Sequence, residues 1–373
     1  MQFDVLILGA GIVGSACALE CARAGMKVGI VEPNVPANGA SAAGMGHIVV
    51  MDDSPAQLAL SRYGRELWQQ MRQALPATVE YEQCGTLWVA ADEEEMQEVH
   101  AKQRTYASVG VETEILDAQA LEHAEPQLRK GLAGGLRVPG DGVIYPPAAA
   151  RFFLDEAIRL GATLLRGVLP VAAAQGRVKL QDGSGLSAGA IVIATGVNTS
   201  LVPWITVQPR KGHLVITDRY PGFVRHQLVE LGYLKSAHKL TADSVAFNVQ
   251  PRQTGQLLIG SSRQYSDAVP DVDAAILRRM LDRASEYLPR ISELSAIRVW
   301  TGFRAATPDK LPLIGPTPDR SVFLAMGFEG LGITNAPGAA RLVGDYLLGR
   351  EPAIDRTPFL PGRALKQAEA MRA

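Results

Sequence analysis

Uninterrupted apolar runs alternate with helix-spaced segments at both ends of the chain, and period-two alternation dominates its middle. Residues 3–8 form a short apolar run containing Val, Ile and Phe, the pattern of a buried parallel strand. Residues 9–14 read GAGIVG, and 15–24 predict a helix stopped by Gly25. A second apolar strand over 27–31 ends at Glu32 and completes a β-α-β unit. The pattern then changes between 51 and 145. Helical spacing covers 58–75, 86–90 is strand-like and 92–109 is a charged, exposed helix, which together predict a separate cap or substrate layer. Alternation of helix and strand resumes with a helix over 148–160 closed by Gly161, a strand over 163–165, and strands over 177–180 and 189–194 flanking a turn at 182–185. From 206 to 303 period-two strands such as 256–260 prevail, with one helix over 272–288, so an antiparallel sheet is expected there. The last stretch predicts a strand over 322–325, a glycine loop, and a helix over 335–348 with Asn335 as its N-cap and Pro337 in its first turn.

These elements predict an interleaved organisation. Segments 1–50, 146–205 and 306–360 build one discontinuous α/β nucleotide-binding domain. Segments 51–145 and 206–305 build an inserted antiparallel α+β domain for the substrate, and 361–373 is a C-terminal tail. No internal repeat, low-complexity tract or long linker interrupts the pattern.

Composition narrows the class. The 373 residues are 47% hydrophobic and 20% charged, which fits a globular chain with a large core and excludes disorder. A formal net charge of −1 argues against nucleic acid or an anionic membrane as the main partner. No apolar stretch reaches the roughly 18 residues of a membrane-spanning helix. The first residues lack a basic n-region, and the three cysteines cannot form a disulfide framework. Cys17 and Cys21 read as small helix-packing residues rather than metal ligands. The expected setting is soluble, reducing and cytoplasmic, with any membrane association made through a partner.

A GxGxxG motif alone is a weak signal. Here it follows a strand, opens a helix and is trailed by an acid 18 residues beyond Gly14. Gly9 permits the tight turn, Gly11 lets backbone approach a pyrophosphate, and Gly14 allows close helix–strand packing at a helix N-terminus that attracts the anion. Glu32 can accept hydrogen bonds from ribose hydroxyls and disfavours a 2′-phosphate. An adenine dinucleotide follows; FAD or NAD must be decided elsewhere. Residues 39–47, GASAAGMGH, are a run of small residues that lets backbone lie against a large flat ligand, whereas a NAD enzyme would enter its next β-α unit at once. IVIATG at 191–196 ends a buried strand in Thr-Gly, WTGFRAATPDKLPLIGP at 300–316 holds one arginine in apolar company, and GFEGLG at 327–332 leads into a helix.

The ordered set GAGIVG, Glu32, GASAAGMG, DGVIYPPAAARFFLDEA, VIATG, PRKGH, LLIGSSRQ, GFRAATPDKLPLIGP and GFEGLGI resembles the D-amino-acid oxidase (DAO) family of flavoproteins. That family includes glycine oxidase, the sarcosine oxidases and flavin-bearing subunits of bacterial amine dehydrogenases. The resemblance spans residues 3 to about 350. Within the family, GASAAGMGHIVV and LLIGSSRQY look most like the β subunits of bacterial D-hydroxyproline dehydrogenases. The resemblance implies an FAD-binding Rossmann-like domain of the glutathione-reductase type, with the flavin ring at the interface of the two domains. The resembled β subunits work with redox partner subunits in a hetero-oligomer, which the resemblance implies here as well. This chain has no iron–sulfur cysteine pattern, so its electrons are expected to leave to oxygen, a quinone or another protein.

The motifs and the resemblance together assign non-covalent FAD to Gly9, Ala10, Gly11, Ile12, Val13 and Gly14, to Glu32 and Pro33, and to Ala40, Ser41, Ala43, Gly44, Met45 and Gly46. Thr195, Gly196, Gly327, Gly330, Leu331, Gly332 and Ile333 complete that set. N–H groups of Gly330 to Ile333, at the positive end of the last helix, would stabilise negative charge at the flavin N1–O2 edge. His47 follows the small-residue loop instead of preceding its AAG step, where a flavin-linked histidine of the family would sit. No metal-ligand cluster is visible among the six histidines.

Arg304 is the leading substrate residue, because a guanidinium flanked by Trp300, Phe303, Ala305 and Ala306 offers a planar fork for a carboxylate. The alternative is a core arginine paired to Asp309 or Glu329. In the resembled family the corresponding arginine holds the amino acid's carboxylate; Ala305 stands here where many members have proline. A second carboxylate-binding arginine of glycine oxidase aligns with Gly330 and is missing, so Glu329 is expected to meet a substrate amine or hydroxyl. The oxidases' active-site tyrosine aligns near Phe247 and Asn248, leaving Asn248 in its place. Arg263 is a further substrate candidate; Tyr265 and His213 are weaker ones. No side-chain base is required for hydride transfer from a neutral amine. The expected function is FAD-dependent oxidation of a small amino or imino acid, a cyclic D-imino acid such as cis-4-hydroxy-D-proline or D-proline first. The alternatives are an oxidase of glycine, sarcosine or D-amino acids that uses oxygen, an electron-relay flavin subunit, and an NAD-dependent dehydrogenase.

Overall fold

The computed structural model describes residues 2–232, 243–265 and 269–364. An eight-stranded sheet carries the first unit. Its main path runs Leu313–Pro316, Val322–Met326, Gly185–Ile193, Gln2–Leu8, Val28–Glu32, Thr163–Arg166. The pairs from Val322–Met326 to Thr163–Arg166 are parallel, and Leu313–Pro316 closes one edge antiparallel. Central strands buried on both faces need apolar side chains at nearly every position, which is why they read as continuous runs. Helices Ile12–Arg23, Pro146–Arg159 and Gly332–Leu348 cover one face around a core that includes Ile7, Ile30, Phe153 and Val343. The opposite face buries Leu6, Leu8, Ile191 and Ile193.

The second eight-stranded sheet is ordered Ala296–Ala306, Gln208–Thr217, Leu257–Arg263, Ser244–Pro251, Gln227–Glu230, Thr86–Ala90, Gly134–Val138, Glu114–Asp117. All its pairs are antiparallel except Gln227–Glu230 with Thr86–Ala90. Strands from 86–138 therefore extend the same sheet as those from 208–306 and do not form a layer of their own. Helix Ala274–Tyr287 packs on this sheet, where Tyr287 stacks on Phe247 with ring centroids 4.5 Å apart. The tail expected at 361–373 lies outside the described residues from 365 onward.

Two helix starts differ from expectation for physical reasons. The first helix begins at Ile12 rather than Ser15, because the Ile12 N–H donates to Ser41 Oγ at 2.9 Å. The cap comes from 29 residues away, so the local pattern does not show it. The last helix begins at Gly332 with Leu331 at its N-cap, which leaves Asn335 and Pro337 inside it and overturns Asn335 as the cap. A proline in a helix leaves the carbonyl four residues earlier without its donor. Here that carbonyl is Ile333, and the Trp68 indole N–H donates to it at 3.0 Å. Trp68 lies on helix Pro55–Met71, which approaches the last helix closely where Gly338 faces Leu60.

Candidate active site

A cavity of about 520 Å³ runs between the two sheets, from the first glycine turn to the start of the last helix. Gly9, Gly11, Ile12, Val13, Glu32 and Pro33 line one end of it. The loop residues Ala40, Ser41, Ala43, Gly44, Met45 and Gly46, with Thr195 and Gly196, line it further along, and Gly327, Gly330, Leu331, Gly332 and Ile333 line the other end. Ala10 and Gly14 do not reach it. Ala10 is fully buried, and its N–H donates to Glu32 Oε2 at 2.8 Å, fixing that carboxylate at the cavity wall. Glu32 Oε1 accepts from the Asn34 N–H at 2.9 Å. Gly14 is a packing residue, since a Cβ there would strike the Gly9 carbonyl. Gly9 has φ +108°, and a Cβ on it would come within 2.5 Å of the Ala194 carbonyl oxygen. The turn therefore needs glycine for its conformation and its packing together.

These features fit an adenine dinucleotide ending in a flat ring. A bare glycine turn stands at one helix N-terminus, and a second helix presents its first turn to the same cavity. First-turn N–H groups have no partner within their own helix. Leu331 is an exception to the donors expected here, because its N–H donates to the Phe328 carbonyl at 2.9 Å. Gly332 and Ile333 remain first-turn donors at the cavity wall.

Three arginines line the cavity, Arg210, Arg263 and Arg304, with Arg304 beside Gly330. Arg210 and Arg304 are direct cross-strand partners in the antiparallel pair Gln208–Thr217 with Ala296–Ala306. Like charges opposite one another are unfavourable. Glu329 relieves this by ion-pairing with Arg210, while its own backbone bridges to Ala305 and holds φ at 54°. Glu329 lines the cavity, but its charge is committed to Arg210. The expected contact with a substrate amine is corrected accordingly.

Arg304 has neither of its expected core partners, because Asp309 pairs with Arg363 at 2.6 Å and Glu329 with Arg210. Its guanidinium crosses Gly212 on the neighbouring strand, and Nη1 donates to the Ser262 carbonyl on the strand after that, at 2.9 Å. Among the described residues Arg304 has no carboxylate partner. Burial, then repulsion from Arg210, pushes its guanidinium down to about 9, and it remains a cation at neutral pH. Arg263 is also held at about 9 by burial and by Arg210 and Arg304. Together these groups give the cavity a buried positive field suited to a small anion. A Cβ on Gly212 would lie 2.5 Å from Arg304 Nη1. Gly212→Ala should therefore keep the fold but displace the guanidinium, weakening binding of small carboxylates about tenfold or more with little change in thermal stability. Calorimetric titration of the variant checks this.

The remaining candidates separate clearly. Asn248 and His47 line the cavity, with Asn248 Nδ2 3.4 Å from His47 Nε2. Tyr265 accepts a hydrogen bond from Arg210 Nη1 at 3.2 Å. His213 is fully buried, takes the Asp273 N–H on Nε2 at 2.9 Å and contacts Ser262 Oγ through Nδ1. It is a structural residue. Arg210 was missed at the sequence level; its signal was the PRKGH segment, whose role depends on the register that sets it beside Arg304.

Burial pushes His47 down to about 4, so the ring is neutral; its hydrogen bond to Gln227 opposes this and Arg304 reinforces it. A lowered folded-state pKa stabilises fully above the unfolded value of 6.5, and that stability is lost as pH falls toward 4. Asp141 runs the other way, because burial pushes it up to about 6. Comparing wild type with His47→Asn cancels the Asp141 contribution. Wild type should lose about 2 kcal/mol more than the variant between pH 7.5 and 5, measured by urea denaturation.

Among the described residues no helix is long and apolar enough to cross a membrane, and no group of three or more His, Cys, Asp or Glu is placed to hold a metal ion. A family model described as FAD dependent oxidoreductase (DAO) matches residues 4–346. Glycine oxidase of Geobacillus kaustophilus is 27% identical over 375 residues, 96% of each chain. D-amino acid dehydrogenase of Xanthobacter autotrophicus is 27% identical over 328 residues, 83% of this chain and 74% of that one. The crystal structure of the Geobacillus kaustophilus glycine oxidase shares the fold with a TM-score of 0.86 at 25% identity, covering 96% of this chain and 98% of that one. With the glycine turn, Glu32 and the second helix N-terminus in their places around one cavity, the chain belongs to the DAO family of FAD-dependent oxidoreductases, and its cofactor is FAD.

Proposed function

We propose that this protein oxidises the C–N bond of a small amino or imino acid, with cis-4-hydroxy-D-proline or D-proline as the preferred substrate. The observation that carries the reading is Arg304, a half-buried cation lining the cavity with no carboxylate partner among the described residues. A substrate carboxylate completes the pair that the fold leaves open. Gly9, Gly11 and Glu32 would hold the dinucleotide end of FAD, and Gly332 and Ile333 would face its ring. FAD, when bound, supplies the hydride acceptor. Arg304 fixes the acid, Arg263 strengthens the local positive field, and the wall formed by Trp88, Met51 and Val229 excludes water from the ring carbons. Position and electrostatics carry most of the rate, so neutral His47 is not needed as a base.

The hydroxyproline preference is supported by the resemblance of the 39–50 and 257–265 segments to D-hydroxyproline dehydrogenase β subunits. A glycine-type oxidase that passes electrons to oxygen is the second reading, favoured by the similarity to glycine oxidase along the chain. Purified protein should be yellow and release FAD on acid precipitation. D-Hydroxyproline and D-proline should bleach it anaerobically at lower concentrations than sarcosine or glycine. Peroxide formed in step with turnover would select the oxidase, and dye reduction without peroxide the dehydrogenase. Failure of all four compounds to bleach the flavin would sink the reading in favour of an electron-relay subunit.

A further inference from the structure

One hydrogen-bond chain runs from the protein interior to the cavity and ends on an oxygen that has no partner among the described residues. Asp141 is fully buried; its Oδ1 accepts from Arg65 Nη1 at 2.9 Å and its Oδ2 accepts from the Thr86 hydroxyl at 2.7 Å. The single hydroxyl proton of Thr86 is thereby used, so Thr86 Oγ1 accepts from Gln227 Nε2, at 3.0 Å. With its amide nitrogen turned to Thr86, Gln227 presents Oε1 to His47 Nδ1 at 2.5 Å, and that ring nitrogen must carry the proton. His47 Nε2 is left as an acceptor, facing Asn248 Nδ2 at 3.4 Å. Asn248 therefore points its Oδ1 away from His47. That oxygen is buried and has no hydrogen-bond partner among the described residues, although Asn248 lines the cavity. A buried acceptor left unmatched is costly unless a ligand supplies the donor.

We propose that Asn248 binds the substrate's N–H through Oδ1, and that Asp141, Thr86, Gln227 and His47 are positioning residues that lock its amide in the accepting orientation. This rests on the amino-acid reading above. Sheet geometry places the two ends of such a substrate correctly. The Arg304 guanidinium reaches Ser262, which is two residues from Gly260, and Gly260 is the cross-strand partner of Asn248. Adjacent strands lie about 4.8 Å apart and two residues span roughly 6.7 Å, so these backbone positions are about 8 Å apart, a span that side chains reaching in from both can narrow to the carboxylate and nitrogen of one α-amino acid. The site thus selects acids that carry a hydrogen-bond donor at the α position and disfavours those with a lone pair there.

The test uses the holoenzyme and two flat acids that differ in one ring atom, pyrrole-2-carboxylate with N–H and furan-2-carboxylate with oxygen. Dissociation constants are read from the change in flavin absorbance or by calorimetry. Wild type should prefer the pyrrole by about tenfold. Asn248→Leu, close in shape, should reduce the preference to within about twofold. Thr86→Val should lose about threefold of it, Thr86→Ser should keep it, and Thr86→Val added to Asn248→Leu should change it no further. Equal binding of the two acids by wild type overturns the inference alone, and so does a Thr86→Val effect that persists without Asn248. Binding of neither acid by wild type overturns the amino-acid reading together with this inference.

Discussion

Arg304→Lys should weaken substrate binding by about 2–3 kcal/mol, roughly 30- to 150-fold in affinity, while the flavin stays bound. A lysine keeps the charge but loses the planar fork. It must also reach Ser262 across Gly212 with a single ammonium, where the guanidinium donates to that carbonyl and keeps further N–H groups for the ligand. Arg304→Ala should cost more, because the ligand carboxylate then enters a buried site without its counter-charge. Flavin content and thermal stability should change little, since no carboxylate of the described protein depends on this arginine. Substrate affinity and flavin-to-protein ratio, measured on the same preparations, check both halves. An unchanged affinity would remove Arg304 from the substrate site.

Asp141→Ala should destabilise the fold by about 3–5 kcal/mol, because it leaves the buried Arg65 guanidinium without its carboxylate. The Thr86 hydroxyl and the Val50 N–H lose their acceptor in the same step. Asp141→Asn should cost less, since an amide oxygen can still accept one of these hydrogen bonds. Replacing both members of the pair, Arg65→Met with Asp141→Leu, should recover much of the loss, as expected when the penalty comes from an orphaned charge. Urea denaturation of the three variants checks the order. The double variant should still lose substrate discrimination, because stability and the orientation of Asn248 depend on Asp141 for different reasons.

Parts of this molecule follow from local pattern. The first β-α-β unit, the strand Thr86–Ala90 and the charged helix Glu93–Ser108 are written in contiguous runs whose period matches their burial. Arg304 stands out for a similar reason, as a lone cation in apolar company. What was not legible depends on partners distant in the chain. Ser41 sets the start of the first helix, and Trp68 makes Pro337 tolerable inside the last one. Strands Glu114–Asp117 and Gly134–Val138 are short, the second opening on two glycines, and they are held by their neighbours in the sheet more than by propensity. Arg210 and the pairing that occupies Glu329 follow from strand register, which local sequence does not specify when both faces of a strand are buried. The chain from Asp141 to Asn248 joins residues from five separate segments; Asp141 opens the DGVIYPP motif and His47 closes GASAAGMGH, but nothing local shows that the two are linked.

Anaerobic titration of the oxidised holoenzyme with D-proline and cis-4-hydroxy-D-proline, wild type beside Arg304→Ala, reaches the central claim most directly. The expected result is loss of the oxidised flavin's visible absorbance in wild type, and a half-saturating concentration higher by a hundredfold or more in the variant. Bleaching of both proteins at the same concentration, or of neither by any small amino acid, would contradict a site in which one cavity-lining guanidinium holds the acid against the flavin.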